Sequence, residues 1–335
     1  MLDARKSAIL RKVVEEHIET AQPVGSAHVV RDPQIDVSPA TVRADMAALE
    51  REGYLTHPHT SAGRIPTDKG YRYFVDHFAD AESLDAEGQQ QVSAFFDQAH
   101  SELERMLRDT TQLLSRLTDH AALVVAPSHD TLEVRSCLIT QLAPGTALVV
   151  VVLSNGAVDK HVVHLEGDFA AEDFDQASAR LREHLEGQRL SGAGAPGPTG
   201  SASQDRIVGA CYAVLTESAR PTRDEDEVFV GGTARMAEQF AAVDTVRAVL
   251  SILEQSFVVV TLLRGVLSQR QGVAIGTETG LDSLAECSLV VAPYQVSEHV
   301  VGTIGILGPT RMNYPQALAA VAVVGQNLSQ RLASG

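Results

Sequence analysis

The chain has no tryptophan, three cysteines, and aromatic residues at only 4% of its 335 positions. The cysteines, Cys137, Cys211 and Cys287, are odd in number and far apart. That excludes a disulfide framework and a cysteine-based zinc site, and it suits a reducing compartment. No apolar run approaches the roughly 20 residues that a membrane helix needs. VVVVL near residue 150 and FVVVTLL near residue 260 have the length of buried strands or core-helix segments. The segment MLDARKSAILRK lacks the layout of a secretory signal. A cytoplasmic location, with no membrane involvement, is therefore expected.

Catalytic signatures are missing too. There is no Walker A sequence and no nucleophile elbow. Gly302, Gly305 and Gly308 are spaced G-x-x-G-x-x-G in a strand region, which is not a dinucleotide loop. His161 and His164, three apart on an expected strand, face opposite sides and cannot chelate together. His57-Pro58-His59 has no nearby Cys or carboxylate to complete a metal site, and Asp224 to Glu227 reads as a solvated acidic turn. No enzyme activity, cofactor or metal is expected.

The net charge is −16, which at first opposes nucleic-acid binding. It is unevenly spread. Residues 1–78 hold 10 Lys and Arg against 11 Asp and Glu, a net of −1 with five His besides, so about −15 falls on the remainder. From His57 to Arg72 there are three cations (Arg64, Lys69, Arg72), two His and one acid, Asp68.

Ile9, Leu10, Val13, Val14 and Ile18 repeat with helical spacing over residues 3–20. Gln22-Pro23-Val24-Gly25 breaks that helix, and Ser26 is expected to cap a short second one. Ser38-Pro39 is a strong helix start, because Ser caps free N–H groups and Pro fits the first helical position; Gly53 is the stop. Tyr54–His57 and Arg64–Pro66 flank a turn-forming segment and read as a β-hairpin, after which Thr67 caps a helix to about Phe78. A helix followed by a basic hairpin is the layout of a winged helix-turn-helix, in which one helix enters the major groove and the wing lies on the backbone or in the minor groove.

On the helix from Ser38 to Arg51, Val42, Met46 and Leu49 share a face that should be buried. Ala40, Ala44 and Ala47 lie opposite, flanked by Thr41 and Arg43. Small residues permit close approach to base edges, and Thr41 and Arg43 can donate to bases or phosphate, beside a helix N-terminus that itself attracts phosphate. The candidate DNA contacts are therefore Ser38, Ala40, Thr41, Arg43 and Ala44 on the helix, with His57, His59, Thr60, Ser61, Arg64, Lys69, Tyr71 and Arg72 around the wing.

Residues 85–118 read as one long helix with a heptad seam of Val92, Phe96, Ala99, Leu103, Met106, Thr110, Leu113 and Leu117. The seam admits two outcomes, pairing with another subunit or packing on its own domain. From Ala121 the pattern turns to strands, with a hairpin turn at Asn155-Gly156. Residues 172–186 are helical, residues 187–204 read as a mobile Gly-, Ser-, Ala- and Pro-rich linker, and further helices follow to about residue 267. Strands return at VAIG, SLVVAPY and VVGTIGILGP, before a closing helix from Asn313 to Leu332. The expected class is α+β and multidomain, with a mainly helical insert in the regulatory part.

PVGS (23–26), the long block VSPATVRADMAALEREGYLTHPHTSAGRIPTDKGYRYFVD (37–76), VFVGGTARMAE (228–238), IGTETG, LVVAPY and GTIGILGPTRMNY (302–314) stand in one order. In these blocks the chain resembles the heat-inducible transcription repressor family HrcA over nearly its whole length. The resemblance implies a repressor that binds as a homodimer to an inverted-repeat operator, the CIRCE element, upstream of chaperone operons, with GroE-type chaperonin as modulator. It implies a winged-helix domain (1–80), a GAF-like domain (81–167 and 251–335) and an inserted dimerising domain (168–250). The chain departs from the family pattern at Ala27, at Ala44-Asp45 where Asn-Glu is commoner, and at Pro315-Gln316. GAF-like folds often hold small ligands, so the alternative reading is a metabolite-responsive winged-helix regulator.

Overall fold

The computed structural model describes residues 2–58, 63–79, 84–98, 103–126, 133–154, 158–190, 192–218, 227–240, 242–269, 272–296 and 299–334. The Asn155-Gly156 turn and residues 224–226 of the acidic run lie outside them.

The N-terminal unit contains α1 (Ala4–Thr20), α2 (Ser26–Val29), α3 (Pro39–Arg51), the antiparallel strands β1 (Leu55–Thr56) and β2 (Ile65–Pro66), and α4 (Asp68–Phe78). The caps follow the residue chemistry. Asp3 accepts from the Lys6 N–H at 2.8 Å, Ser38 from the Thr41 N–H at 3.2 Å and Thr67 from the Gly70 N–H at 3.2 Å. Gly25, not Ser26, takes the cap position of α2 and supplies no side chain. Ile9, Leu10, Val13 and Val14 of α1 are buried with Val42, Met46 and Leu49 of α3.

The expected single helix over 85–118 is two helices, α5 (Ala86–Gln98) and α6 (Leu103–Thr118). Val92, Phe96, Met106, Thr110 and Leu113 of the seam are buried within the chain itself, where both helices pack on the C-terminal helix α12 (Tyr314–Ser334). The heptad spacing thus serves an internal layer.

Five antiparallel strands form the central sheet: β3 (Ala121–Val125), β7 (Val228–Gly231), β8 (Val273–Ile275), β9 (Cys287–Val296) and β10 (His299–Pro309), in the order β7-β3-β10-β9-β8. Side-chain alternation divides each strand between two cores. Ala122, Val124, Ile304 and Ile306 join the core of α5, α6 and α12, which is continuous with that of the N-terminal unit. Ala121, Leu123, Val125, Leu289 and Val291 face α10 (Val243–Leu253) and α11 (Ser256–Leu267), which follow the short α9 (Thr233–Ala237). The three spaced glycines sit in β10 because neighbours press on them: a Cβ would strike the Tyr294 ring at Gly302 and the His120 ring at Gly308.

The remaining strands, β4 (Val134–Ala143), β5 (Thr146–Leu153) and β6 (Val158–His164), form a separate antiparallel sheet. Its inner face, with Cys137, Ile139, Val149, Val151 and Val163, packs on α7 (Ala171–Leu185) and α8 (Ala202–Ser218) in a core of its own. This core spans residues 134–215, and the expected insert boundaries of 168–250 do not coincide with it. Strands 134–164 do not join the central sheet, whereas β7, read as helical sequence, does. The compact inserted unit is thus a three-stranded sheet under two helices, not a mainly helical one. Nor is 187–204 wholly a free linker. Leu190 and Ala193 are buried in the same core, the Ala193 carbonyl accepts from the Tyr212 hydroxyl at 2.5 Å, and the Gly194 carbonyl pairs with the His184 ring at 2.6 Å. All three cysteines are buried and unbridged, and burial pushes each thiol up to about 12.

Candidate nucleic-acid interface

The exposed face of α3 is built by its own pattern. Val42, Met46 and Leu49 turn inward, and Asp45 turns inward with them to accept from the Arg5 guanidinium at 2.8 and 3.3 Å. Ala40, Arg43 and Ala44 are left exposed, with Thr41 and Ala47 half-buried at the edges. Ser38 is exposed as the cap, its hydroxyl 3.0 Å from that of Thr41. The first turn of α3 carries no acid, so the partial positive charge of its N-terminus is not offset there. Arg43 makes no hydrogen bond or ion pair with any described residue. The result is a small-residue helix face with one extended cation, shaped to approach a groove.

The hairpin is pinned beside this helix. Val24 and Arg64 exchange both backbone hydrogen bonds at 2.9 Å. Gly63 lies so close to the Val24 backbone that a Cβ would overlap it, which is why Gly precedes Arg64. The Arg64 guanidinium donates to Glu50 at 3.2 Å and is only 12% exposed, and His57 Nε2 stands 3.3 Å from the same carboxylate. Arg64 is therefore the inner half of an ion pair, not a loose cation. His57 is exposed on the strand side, and His59, Thr60 and Ser61 lie outside the described residues. Sequence reasoning missed Glu50, because its contacts with residues 57 and 64 exist only once the hairpin folds back on α3.

The three candidates on α4 separate from this surface. Lys69 is exposed, but its ammonium donates to the Glu52 carbonyl at 2.8 Å and covers the Tyr54 ring at 4.4 Å. Tyr71 is 3% exposed, its ring centroid 6.0 Å from that of Tyr314, and burial raises its pKa. It cannot touch DNA in this arrangement. Arg72 points into the chain, where it donates to both oxygens of Glu278, to the Val273 carbonyl at 2.7 Å and to Asp76 at 3.5 Å. Burial acts against its charge, and Glu278 and Asp76 sustain it, so that its pKa is raised. Asp68, the one acid in the basic stretch, accepts from the Thr277 N–H and hydroxyl, both at 3.1 Å. Amphipathic spacing put these residues on a helix, but only packing showed that this edge of α4 meets the central sheet layer.

The later sequence blocks prove structural. Tyr314 of GPTRM-Tyr is fully buried, its hydroxyl 2.8 Å from Ser288 Oγ and donating to the Thr310 carbonyl at 2.6 Å, while Arg311 donates to the Gln239 carbonyl at 2.7 Å. In VFVGGTARMAE, Arg235 pairs with Asp119 at 3.0 Å. Among the described residues no cluster of His, Cys, Asp and Glu is arranged to hold a metal ion.

An exposed small-residue helix face beside a pinned hairpin, joined to a large acidic body, is the layout of a transcription regulator, and comparison with known proteins says which kind. Residues 104–318 match the family described as "HrcA protein C terminal domain". The chain is 37% identical to the heat-inducible transcription repressor HrcA of Nocardia farcinica, over 98% of this chain and 96% of that one. It is 37% identical to HrcA of a Mycobacterium species, covering 98% of each chain, and 34% identical to HrcA of Symbiobacterium thermophilum, again covering 98% of each. A crystal structure of a protein described only as hypothetical shares the fold, with a TM-score of 0.68 at 20% identity over 100% of this chain and 99% of that chain. The chain belongs to the HrcA family of heat-inducible transcription repressors.

Proposed function

We propose that the chain represses chaperone operons by binding a CIRCE-type inverted repeat as a homodimer, with the N-terminal unit as a winged helix and α3 as its reading helix. The observation that carries this is the exposed face of Ala40, Arg43 and Ala44, left without internal partners while neighbouring cations are tied down. The contact set we propose is Ser38, Ala40, Thr41, Arg43 and Ala44, with His57, Arg64 and the hairpin tip against the backbone and Lys69 at the margin. Tyr71 and Arg72 leave the set.

One such head reads only a few base pairs, so operator selection needs two half-sites related by a two-fold axis. The outer face of the second sheet supports the dimer. Leu138, Val158 and Val162 are more than half exposed there, around half-buried Leu148, Val150 and Val152. Pairing this face between two inserted units would hold the heads apart at a fixed spacing. GroE-type chaperonin, the modulator that family membership suggests, would act by favouring the DNA-competent of two states, since equal affinity for both shifts nothing. Clients unfolded by heat would then compete for it.

The test is operator binding by fluorescence anisotropy, with chaperonin and an unfolded competitor added in turn. Ala44→Trp should abolish operator preference while leaving helical content unchanged. Wild-type affinity in that variant sinks the reading-helix assignment, and occupancy indifferent to both additions sinks the chaperonin step.

A further inference from the structure

A cleft of about 280 Å³ opens between α11 and the end of the 3-10 turn Gly276–Thr279 with the residues that follow it. Phe257, Thr261, Gly265 and Gln269, spaced four apart, form one wall, and Thr279 and Leu281 form the other. No lining residue carries a charge. Phe257 is 52% exposed at the mouth, and a Cβ added at Gly265 meets nothing within 4 Å, so the cleft is open where the helix has no side chain.

The wall of the cleft is continuous with the anchor of the N-terminal unit. Thr277 holds Asp68, and Glu278 holds Arg72; the next residue, Thr279, lines the cleft. Glu278 is also fixed from within. Its carboxylate accepts from the Ile275 N–H at 2.9 Å, and its carbonyl accepts from the Gln269 side chain at 3.3 Å, itself a cleft residue. Pressure on Thr279 or Gln269 therefore reaches Glu278 through one peptide unit or one hydrogen bond.

We propose that this cleft binds a small, neutral, largely apolar molecule of one or two rings, and that its occupancy braces the turn that holds α4. The volume is at the small end for ligand sites. The uncharged lining leaves an ionised ligand without a counter-charge, which disfavours nucleotides and carboxylates. A ligand acts on an equilibrium only through differential affinity, and here the difference lies in the position of Thr279 and Leu281 with α4 docked or released. The inference stands apart from the DNA-reading proposal, because it is tested without DNA.

The probe is N-phenyl-1-naphthylamine, a neutral dye that brightens in apolar surroundings, titrated into the full-length protein beside its anionic analogue 1-anilinonaphthalene-8-sulfonate. Saturable binding of the neutral dye is expected, weakened at least about tenfold in Gly265→Leu, whose side chain occupies the cleft. Circular dichroism checks that this variant keeps its helices. Hydrogen exchange supplies the second readout: the dye should raise protection of the α4 amides in wild type, while Glu278→Gln should bind the dye and lose that gain. The proposal is overturned by unchanged dye binding in Gly265→Leu, by tighter binding of the anionic dye, by no saturable binding up to the solubility limit, or by α4 protection that ignores the dye.

Discussion

Arg43 and Arg72 are both cations in the N-terminal unit, yet their surroundings assign them opposite roles, and the salt dependence of DNA binding separates them. Each phosphate neutralised contributes about −0.9 to the slope of log K against log salt. Arg43→Ala changes both heads of a dimer. If Arg43 meets phosphate, the slope becomes shallower by about 1.8, and the affinity lost between about 50 and 200 mM salt shrinks roughly twelvefold. If it meets a base edge instead, the slope holds, and discrimination between operator and scrambled duplex falls by about 1–3 kcal/mol per half-site. Arg72 donates to Glu278, Asp76 and the Val273 carbonyl, so it has no free direction for DNA. Arg72→Ala should weaken binding only through the posture of the head and leave the slope unchanged. The assay is anisotropy of a labelled operator and a scrambled duplex across a salt series. A slope flattened equally by Arg72→Ala and Arg43→Ala would refute the assignment, because it would place the Arg72 guanidinium on phosphate.

Other consequences follow from particular contacts. Arg72 and Glu278 are partly buried, with side chains 20% and 32% exposed. A double-mutant cycle in urea should return a coupling of about 1–2 kcal/mol, below the 3–5 for breaking a fully buried pair, and additive single variants would contradict the latch. Glu50→Gln frees Arg64 and His57 from their shared carboxylate and should tighten binding to scrambled duplex with a slope steeper by up to about 0.9 per head; unchanged non-specific affinity would mean that the pair does not restrain the hairpin. Leu138→Lys with Val162→Lys should convert the dimer to monomer in sedimentation while far-ultraviolet dichroism stays constant, and a persistent dimer would move the interface elsewhere. Burial lowers the pKa of His120 to about 4, partly opposed by Asp119. Above pH 6.5 both folded and unfolded chains keep it neutral; below that only the unfolded chain takes the proton, so stability is lost as pH falls from 6.5 toward 4, the loss reaching about 2 kcal/mol by pH 5. The drop in urea midpoint between pH 7 and pH 5 should shrink in His120→Gln, and an identical drop would show that His120 protonates freely in the fold.

Local chemistry in the sequence determined the local structure. Asp3, Ser38-Pro39 and Thr67 start helices wherever they stand, because a side-chain oxygen before a helix satisfies its free N–H groups without help from the rest of the fold. The inward face of α3 and the strands TALVVVVL near 150 and SLVVAPY near 290 were legible for a similar reason, periodicity and apolar run length being properties of a single element. Tertiary structure alone decided which sheet each strand joins: β4 leaves the central sheet for the second one, and β7, in sequence that reads as helical, forms an edge of the central sheet. It also decided where a helix's polar edge points. Arg72 and Arg43 have equal charge and comparable helical settings, but one edge of α4 meets Glu278, some two hundred residues away in the chain, while α3 turns its small face to solvent. Partners that distant leave no trace in local spacing, so the division between exposed face and anchor exists only once the N-terminal unit has docked on the central sheet layer.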